Sequence, residues 1–323
     1  MISGENLKKQ LNYTLDKTDF SLGKKYEGKV RDNYSFGNKR LIITTDRISA
    51  FDRVLCTLPF KGQVLNQTAA FWFEKTKKII PNHVISVPDP NVLLAEECKL
   101  IPVEMVIRGY LTGVTTTSAW YNYEKGVRDF CGNILPKGMK KDQKFNRPII
   151  TPSTKAGKGQ HDISVSGENI IKSGLVESET YKKMEKAALE LYNFGNKYVS
   201  KNNLILVDTK YEFGLDGNGD LMIIDEMHTP DSSRFWVKST YKSKFSRGDE
   251  PDKLDKEYVR QFLAKQGFLG KGKIPFIPDD IKIEAARRYI QAYEMITGKE
   301  FEAEVGDVRG RIKANLEAKG YFD

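Results

Sequence analysis

Between residues 204 and 236 the chain reads LILVDTKYEFGLDGNGDLMIIDEMHTPDSSRFW. Side chains alternate along a strand, so Asp208, Lys210 and Glu212 share one face, while Ile205, Val207, Tyr211 and Phe213 share the other and pack into a core. If the glycine turn at GLDGNGD folds the chain back as a hairpin, Asp225 lies opposite 210–212, within a residue of register. Two carboxylates brought together without compensation raise the pKa of one of them. A divalent cation relieves that cost, and Mg²⁺ takes one or two carboxylates together with phosphate oxygens and water. Glu212 and Asp225 meet that need as metal ligands, and Lys210 is placed to hold a phosphate. The same pattern also describes a solvent-facing strand of alternating charge, which is the commoner case for the hairpin alone. The adjoining TPDSSRFW, with Asp231, Ser232, Ser233 and Arg234, shifts the balance toward a site.

Other segments carry weaker signals of the same kind. YEGKVRD places Gly28 between Glu27 and Lys29 on a predicted strand. A glycine lets backbone N–H groups approach a phosphate, and Lys29 or Arg31 adds charge; an incidental glycine in a hairpin explains the segment equally. No Walker loop and no Rossmann fingerprint is present. TTDRISAFDRVL carries Asp46, Arg47, Ser49, Asp52 and Arg53, types that also make a capped turn. MVIRGYLTG puts Arg108 after a buried strand, where it can clamp an anion bidentately or sit on the surface. TPSTKAGKGQHD holds Lys155, Lys158, His161 and Asp162, and reads as a mobile anion-binding lid or a solvated linker. No second His or Cys stands at ligand spacing from His161, so it is not read as a metal ligand.

The elements that must position these residues follow from periodicity. The spacing predicts a short helix over 5–12 and two strands joined by SFGNK within 24–48. An amphipathic helix over 63–79 turns Leu65, Ala69, Trp72, Phe73 and Thr76 inward, and Pro81 closes it. HVISV and VEMVI read as strands, 132–167 as long connections, and 178–201 as a helix capped by its first serine. Helices are expected over 253–265, 278–297 and 306–319. Strands first, then mixed elements, then helices give an α+β chain. The division falls near residue 100, with a sheet-rich lobe over 1–99 and a larger α/β lobe over 100–323 that ends in a helical extension.

Composition narrows the function. The 323 residues carry a net charge of +9, with 39% hydrophobic and 29% charged residues, an ordinary globular balance. The Lys and Arg residues are scattered rather than gathered into an arm, which favours small anionic substrates over nucleic acid. No apolar run approaches a membrane span, and MISGENLKKQ has no secretory h-region. The three cysteines are far apart and read as reduced thiols in a cytoplasmic protein.

Taken in order, YEGKVRD, TTDRISAFD, KGQVLNQ, PVEMVIRGYLTG, TPSTKAGKGQHD and the 204–236 segment resemble the phosphoribosylaminoimidazole-succinocarboxamide synthases, the SAICAR synthetases of purine biosynthesis. The resemblance spans about residues 26 to 236, and the C-terminus resembles the longer members. It implies a sheet-rich nucleotide lobe over an α/β lobe, similar to kinase and ATP-grasp architecture. It implies an ATP- and Mg²⁺-dependent ligase joining L-aspartate to 5-aminoimidazole-4-carboxylate ribonucleotide, giving the succinocarboxamide, ADP and phosphate. By resemblance, Gly28, Lys29 and Arg31 form the phosphate loop, Glu212 and Asp225 hold Mg²⁺, and Lys210 faces phosphate. Arg108 and Arg234 hold the ribonucleotide phosphate and nearby groups, while Ser49 and Asp52 lie near the imidazole and aspartate. Lys155, Asp208 and Asp231 complete the expected substrate contacts, Asp208 as one candidate acceptor for the amine proton. The family often has serine directly after RGYLTG. Here Val114 follows, then Thr115, Thr116, Thr117 and Ser118, of which Ser118 is favoured as the replacement. All three substrates are anions, which gives the basic balance a reason. The competing readings are a kinase-like small-molecule phosphotransferase, for which no H-R-D-L-x-x-x-N loop is visible, and a basic nucleic-acid-binding protein.

Overall fold

The structure is a computed structural model that describes residues 2–51, 53–154, 163–254 and 257–322. Helix α1 (Gly4–Gln10) starts at Ser3, whose Oγ accepts from Asn6 N. Strands β1 (Lys24–Glu27), β2 (Arg31–Phe36) and β3 (Lys39–Thr44) follow, so the region expected to hold two strands holds three before the β4 (Arg47–Ala50) and β5 (Arg53–Thr57) hairpin. Gly28 is therefore in the β1–β2 turn rather than on a strand. Helix α2 (Lys61–Thr76) buries Leu65, Ala69, Trp72, Phe73 and Thr76, the face expected from its periodicity. Strands β6 (Val84–Asp89) and β7 (Val92–Glu96) complete an antiparallel sheet of order β1-β2-β3-β7-β6.

Strand β8 (Lys99–Leu111) opens the second sheet. After α3 (Ala119–Glu124) and the small β9 (Asp129–Phe130) and β10 (Asn133–Ile134) pair comes β11 (Gln143–Ile150), then β12 (Ser153–Thr154) and β13 (Ile163–Ser164). Much of the stretch expected as connection is thus sheet. Helices α4 (Gly167–Lys172) and α5 (Ser178–Val199) follow. Glu177 stands at the N-cap of α5 with no side-chain bond, and Ser178 is its first helical residue rather than its cap. The long hairpin is β14 (Leu204–Leu215) with β15 (Leu221–Ile224), and β16 (Ser233–Val237) pairs with the other edge of β14. Strand β14 is central, between β8 on one side and β15 and β16 on the other.

Alternation along β14 is broken once. Its pairing with β16 slips between Leu206 and Asp208, leaving an extra residue on β14. Leu204, Leu206, Tyr211 and Phe213 pack in the core with α5 and α2. Ile205 and Val207 instead pack with Tyr110 and Trp236, not with Tyr211 and Phe213 as strict alternation predicts.

Helices α6 (Lys238–Arg247), α7 (Glu257–Lys265), α8 (Asp279–Thr297) and α9 (Val308–Glu317) end the chain. Helix α6 stays on the second sheet, where Tyr241 packs against Tyr110 and Trp236, whereas α8 and α9 return to the N-terminal elements. Helix α8 shares a core with Leu7, Val64 and Leu65 through Ala286, Tyr289 and Ile290. Helix α9 lays Val308, Ile312 and Leu316 on Tyr34, Leu41 and Val92 of the first sheet. Arg311 bonds Asp89 through Nε and Nη2 at 3.1 and 3.2 Å, and Asn315 donates to the same carboxylate at 2.7 Å.

Candidate active site

The polar face of β14 is assembled by register. Asp208 lies opposite Arg108 of β8 on one side and Arg234 of β16 on the other. The three residues therefore form a row across three strands. Arg234 donates through Nε to Asp208 Oδ1 at 2.9 Å, and its Nη2 lies 2.8 Å from Oδ2. Arg108 reaches Oδ2 at 3.4 Å, and also donates to Thr151 Oγ1 at 2.7 Å and to the Thr117 carbonyl at 2.8 Å. Burial pushes Arg108 down to about 10, against the attraction of Asp208 and with the repulsion of Arg234. It remains a cation at neutral pH. One carboxylate thus holds two guanidinium groups side by side.

Two residues along the same face stands Lys210, and two further Glu212. Glu212 is paired in register with Glu104 of β8. Lys210 Nζ donates to Glu104 Oε1 at 2.8 Å and to Glu212 Oε1 at 3.4 Å. Burial alone would lower its pKa, but Glu212, Glu104 and Asp225 outweigh burial and raise it. Glu104 was not among the residues expected from the sequence. The signal was there, because alternation from Arg108 along PVEMVIR puts Glu104 on the same face.

Asp225 follows the last hairpin pair, Glu212 with Ile224, and adopts a left-handed backbone at φ 65°. Its carboxylate faces Arg31, which comes from the start of β2. Arg31 Nη1 lies 3.2 Å from Asp225 Oδ1, and Nη2 lies 2.9 Å from Glu226 Oε2. Thr229 Oγ1 donates to the same Glu226 oxygen. The first sheet is thereby joined to the end of the metal-type hairpin. The turn at 28–30 is fixed from behind. Gly28 N donates to Arg31 O at 2.8 Å, and buried Arg47 donates to the carbonyls of Gly28 and Lys29 and to Asp32.

A cavity of about 420 Å³ opens on this face, lined by Glu104, Arg108, Ser118, Asp208, Lys210 and Arg234. Its volume suits a small ligand. Lys141, Lys253 and Arg260 also line it; Lys141 and Lys253 donate to Glu250 at 3.0 and 2.9 Å. Those two bonds hold Glu250 down, to about 2. The bend after Arg108 carries Gly113 at φ +92°, where an added Cβ would stand 2.4 Å from Ser118 Oγ and 2.7 Å from Arg234 Nη1. Val114 is exposed, whereas Ser118 is buried against the cavity with its Oγ 2.7 Å from Thr115 Oγ1. Asp231 also borders the cavity, with its carboxylate engaged by Lys61 and Tyr289. Ser49 sits at the register shift of the β4–β5 hairpin and is not among the cavity-lining residues. Asp52 and Lys155 lie outside the described residues.

Among the described residues no three His, Cys, Asp or Glu side chains make a ready metal cage. The donor set instead offers paired Glu104 and Glu212, with Asp225 close enough to act on Lys210. That fits Mg²⁺, which takes few carboxylates and fills its shell with phosphate oxygens and water. No helix among the described residues is long and apolar enough to cross a membrane.

The family profile described as SAICAR synthetase matches residues 24–273. A phosphoribosylaminoimidazole-succinocarboxamide synthase of Legionella pneumophila (strain Paris) is 45% identical over 308 residues, covering 94% of this chain and 98% of that protein. The chloroplastic enzyme of the same name from Vigna aconitifolia is 51% identical over 258 residues, covering 80% and 75%. Among solved structures, the Saccharomyces cerevisiae SAICAR synthase complexed with SAICAR superposes with a TM-score of 0.78 at 31% identity, covering 90% of this chain and 100% of that one. A SAICAR synthetase in complex with ADP gives 0.65 at 25% identity, covering 87% and 100%. These relatives decide between the ligase and the phosphotransferase readings. The chain belongs to the SAICAR synthetase family, the ATP-dependent ligases that join aspartate to 5-aminoimidazole-4-carboxylate ribonucleotide in purine biosynthesis.

Proposed function

We propose that the polar face of β14 divides the ligation into two neighbouring charge sites, and that the reaction runs through an acyl phosphate. The observation that carries the division into two sites is the register itself. Arg108, Asp208 and Arg234 form one row, and Glu104, Lys210 and Glu212 form a second cluster two to four residues along the same strand. The arginine row binds the anionic groups of the ribonucleotide, with Asp208 setting the orientation of both guanidinium groups and Ser118 supplying a hydroxyl. Asp208 is thereby committed to arginines, which argues against its serving as the amine's proton acceptor. The turn at 28–30 with Lys29 takes the ATP phosphates, and Arg31, which pairs with Asp225 and Glu226, adds positive charge beside them, so the nucleotide lies at the seam between a lobe of 1–99 and one of 100–323. That division falls after the first residue of β8, although α8 and α9 return to pack on the first lobe. Glu212 and Asp225 would hold Mg²⁺, with Glu104 paired beside Glu212 adding negative charge to the site. When bound, the ion neutralises charge on the transferring phosphoryl group. Ser49, Asp52 and Lys155 remain proposed substrate contacts by family resemblance, and the cytoplasm is the proposed compartment.

A carboxylate does not react with an amine at neutral pH, because oxide would have to leave. Attack of a ribonucleotide carboxylate oxygen on the γ-phosphorus of ATP breaks the bond to ADP and gives an acyl phosphate. The aspartate amine then attacks the acyl carbon. The C–N bond forms, the C–O bond to the phosphoryl group breaks, and inorganic phosphate leaves with one carboxylate oxygen and takes up the proton that the amine gives up. Lys210, held as a cation by its acidic neighbours, stabilises the negative charge passing through this region. With ¹⁸O in the ribonucleotide carboxylate, one labelled oxygen is expected in the released phosphate. Label-free phosphate beside amide product would overturn the route.

A further inference from the structure

Asp231 borders the substrate cavity, yet its carboxylate is turned onto the protein. Lys61 Nζ donates to Oδ2 at 2.8 Å, and Tyr289 Oη donates to Oδ1 at 2.6 Å. Lys61 has a side chain with no solvent exposure, and its Nζ lies 5.3 Å from the centre of the Tyr289 ring. The three side chains come from three distant parts of the chain. Lys61 opens α2, Asp231 lies in the segment before β16, and Tyr289 is on α8, beyond the 24–273 region that the family profile matches.

Lys61 is itself fixed. The next residue, Gly62, donates its N–H to Asp46 Oδ1 at 2.8 Å, and Leu15 N donates to Oδ2 at 2.7 Å. The segment it meets is short and pinned at both ends. Glu226 is bound by Arg31 and Thr229, and Arg234 is bound by Asp208. Asp231 stands between these anchors, and its own N–H and that of Ser232 point to Thr229 Oγ1 at 3.3 and 3.2 Å. A shift at Asp231 therefore has little slack before it moves Arg234, three residues on.

We infer that Lys61 and Tyr289 are positioning residues that clamp Asp231, so that α8 completes the substrate site by fixing the segment that carries Arg234. Asp231 on this account orients the cavity wall and is not itself a substrate ligand. An ion pair with its ammonium fully buried, whose carboxylate also accepts a hydroxyl hydrogen bond, is costly to build and rigid once built, which suits a part that sets geometry. The inference rests on the assignment of the arginine row to the ribonucleotide.

Tyr289→Phe tests it, because the ring and its packing remain and one hydroxyl is lost. Expected are faster amide exchange across 229–234, an apparent KM for the ribonucleotide raised about tenfold, or ~1.4 kcal/mol, and a KM for ATP within about twofold of the starting value. Lys61→Met is the harsher companion, since it leaves a buried carboxylate without its ammonium. If it folds, it should move the same amides and the same KM further. Unchanged exchange in Tyr289→Phe, or equal rises in every KM, would overturn the clamp. Arg234→Lys, measured alongside, separates the two assumptions. If that variant leaves the ribonucleotide KM unchanged, the assignment of the arginine row fails, and the clamp is then judged on exchange alone: faster exchange supports it and unchanged exchange overturns it.

Discussion

A single lysine among carboxylates is the most informative arrangement at the level of residues. Lys210 meets Glu104 and Glu212 directly and feels Asp225. Lys210, and Arg31 shared between Asp225 and Glu226, give two cations for the four carboxylates Glu104, Glu212, Asp225 and Glu226 in a partly desolvated place, so the cluster favours a further cation. Glu212→Gln and Glu104→Gln each remove one negative charge and keep the shape. Each is expected to leave far-UV circular dichroism unchanged and to raise the Mg²⁺ concentration for half-maximal rate at least about tenfold, a cost of ~1.4 kcal/mol. Titrating the rate with Mg²⁺ checks this, and an unaltered titration for both variants removes these carboxylates from the metal. Alternation puts Lys210 and Glu212 on one face and Glu104 on one face with Arg108, but the pairing of Glu104 with Glu212, 108 residues on, leaves no local trace in the sequence. The same holds for the row of Arg108, Asp208 and Arg234, whose members were each visible while their alignment was not.

Elements departed from the sequence reading where the backbone is irregular. Along β14 the extra residue between Leu206 and Asp208 reverses the phase, so Ile205 and Val207 change sides relative to Tyr211. Period-two reasoning assumes an unbroken ladder, and a bulge breaks it without a compositional mark. Strand β11 has the sequence of a connection, since QKFNRPII contains proline and lies in a Gly- and Lys-rich stretch. Its pairing with β8 does shift between Lys144 and Ile149, the interval holding Pro148, which has no N–H to give the ladder. The bend at Gly113 is the irregular element closest to the chemistry. Its φ of +92° suits glycine, and a Cβ there meets both Ser118 and Arg234. Gly113→Ala is expected to cost about 1–3 kcal/mol of stability in urea titrations and to raise the ribonucleotide KM more than that for ATP, because the displaced groups line the ribonucleotide side. Equal effects on both would place the strain elsewhere.

Over the whole molecule, three of the buried ionisable groups among the described residues change stability between pH 7 and pH 5. His83 and His228 are both fully enclosed, and burial lowers each to about 3, with Arg40 and Arg31 adding to the effect at His83. His228 bonds Tyr211 Oη through Nε2 at 2.5 Å and stacks edge-on against Trp72. Asp46 runs the other way, since burial raises it to about 6 despite its bonds from Leu15 and Gly62. The signs follow from which state binds more protons. Below pH 6.5 the unfolded chain protonates both histidines while the fold keeps them neutral, so their contribution is present above 6.5 and is lost as pH falls toward 3. Asp46 takes a proton in the fold before it does so in the unfolded chain, so its contribution grows as pH falls from about 6 toward 4. Between pH 7 and pH 5 each histidine costs about 2 kcal/mol and Asp46 returns about 1 kcal/mol, a net loss of roughly 2–3 kcal/mol. Urea unfolding at the two pH values is expected to show that loss. In His228→Leu, less stable at both, the difference between pH 7 and pH 5 should shrink below about 1 kcal/mol, since one of the two opposing histidines is gone. A parent protein with equal or greater stability at pH 5 than at pH 7 would mean that these histidines accept protons inside the fold.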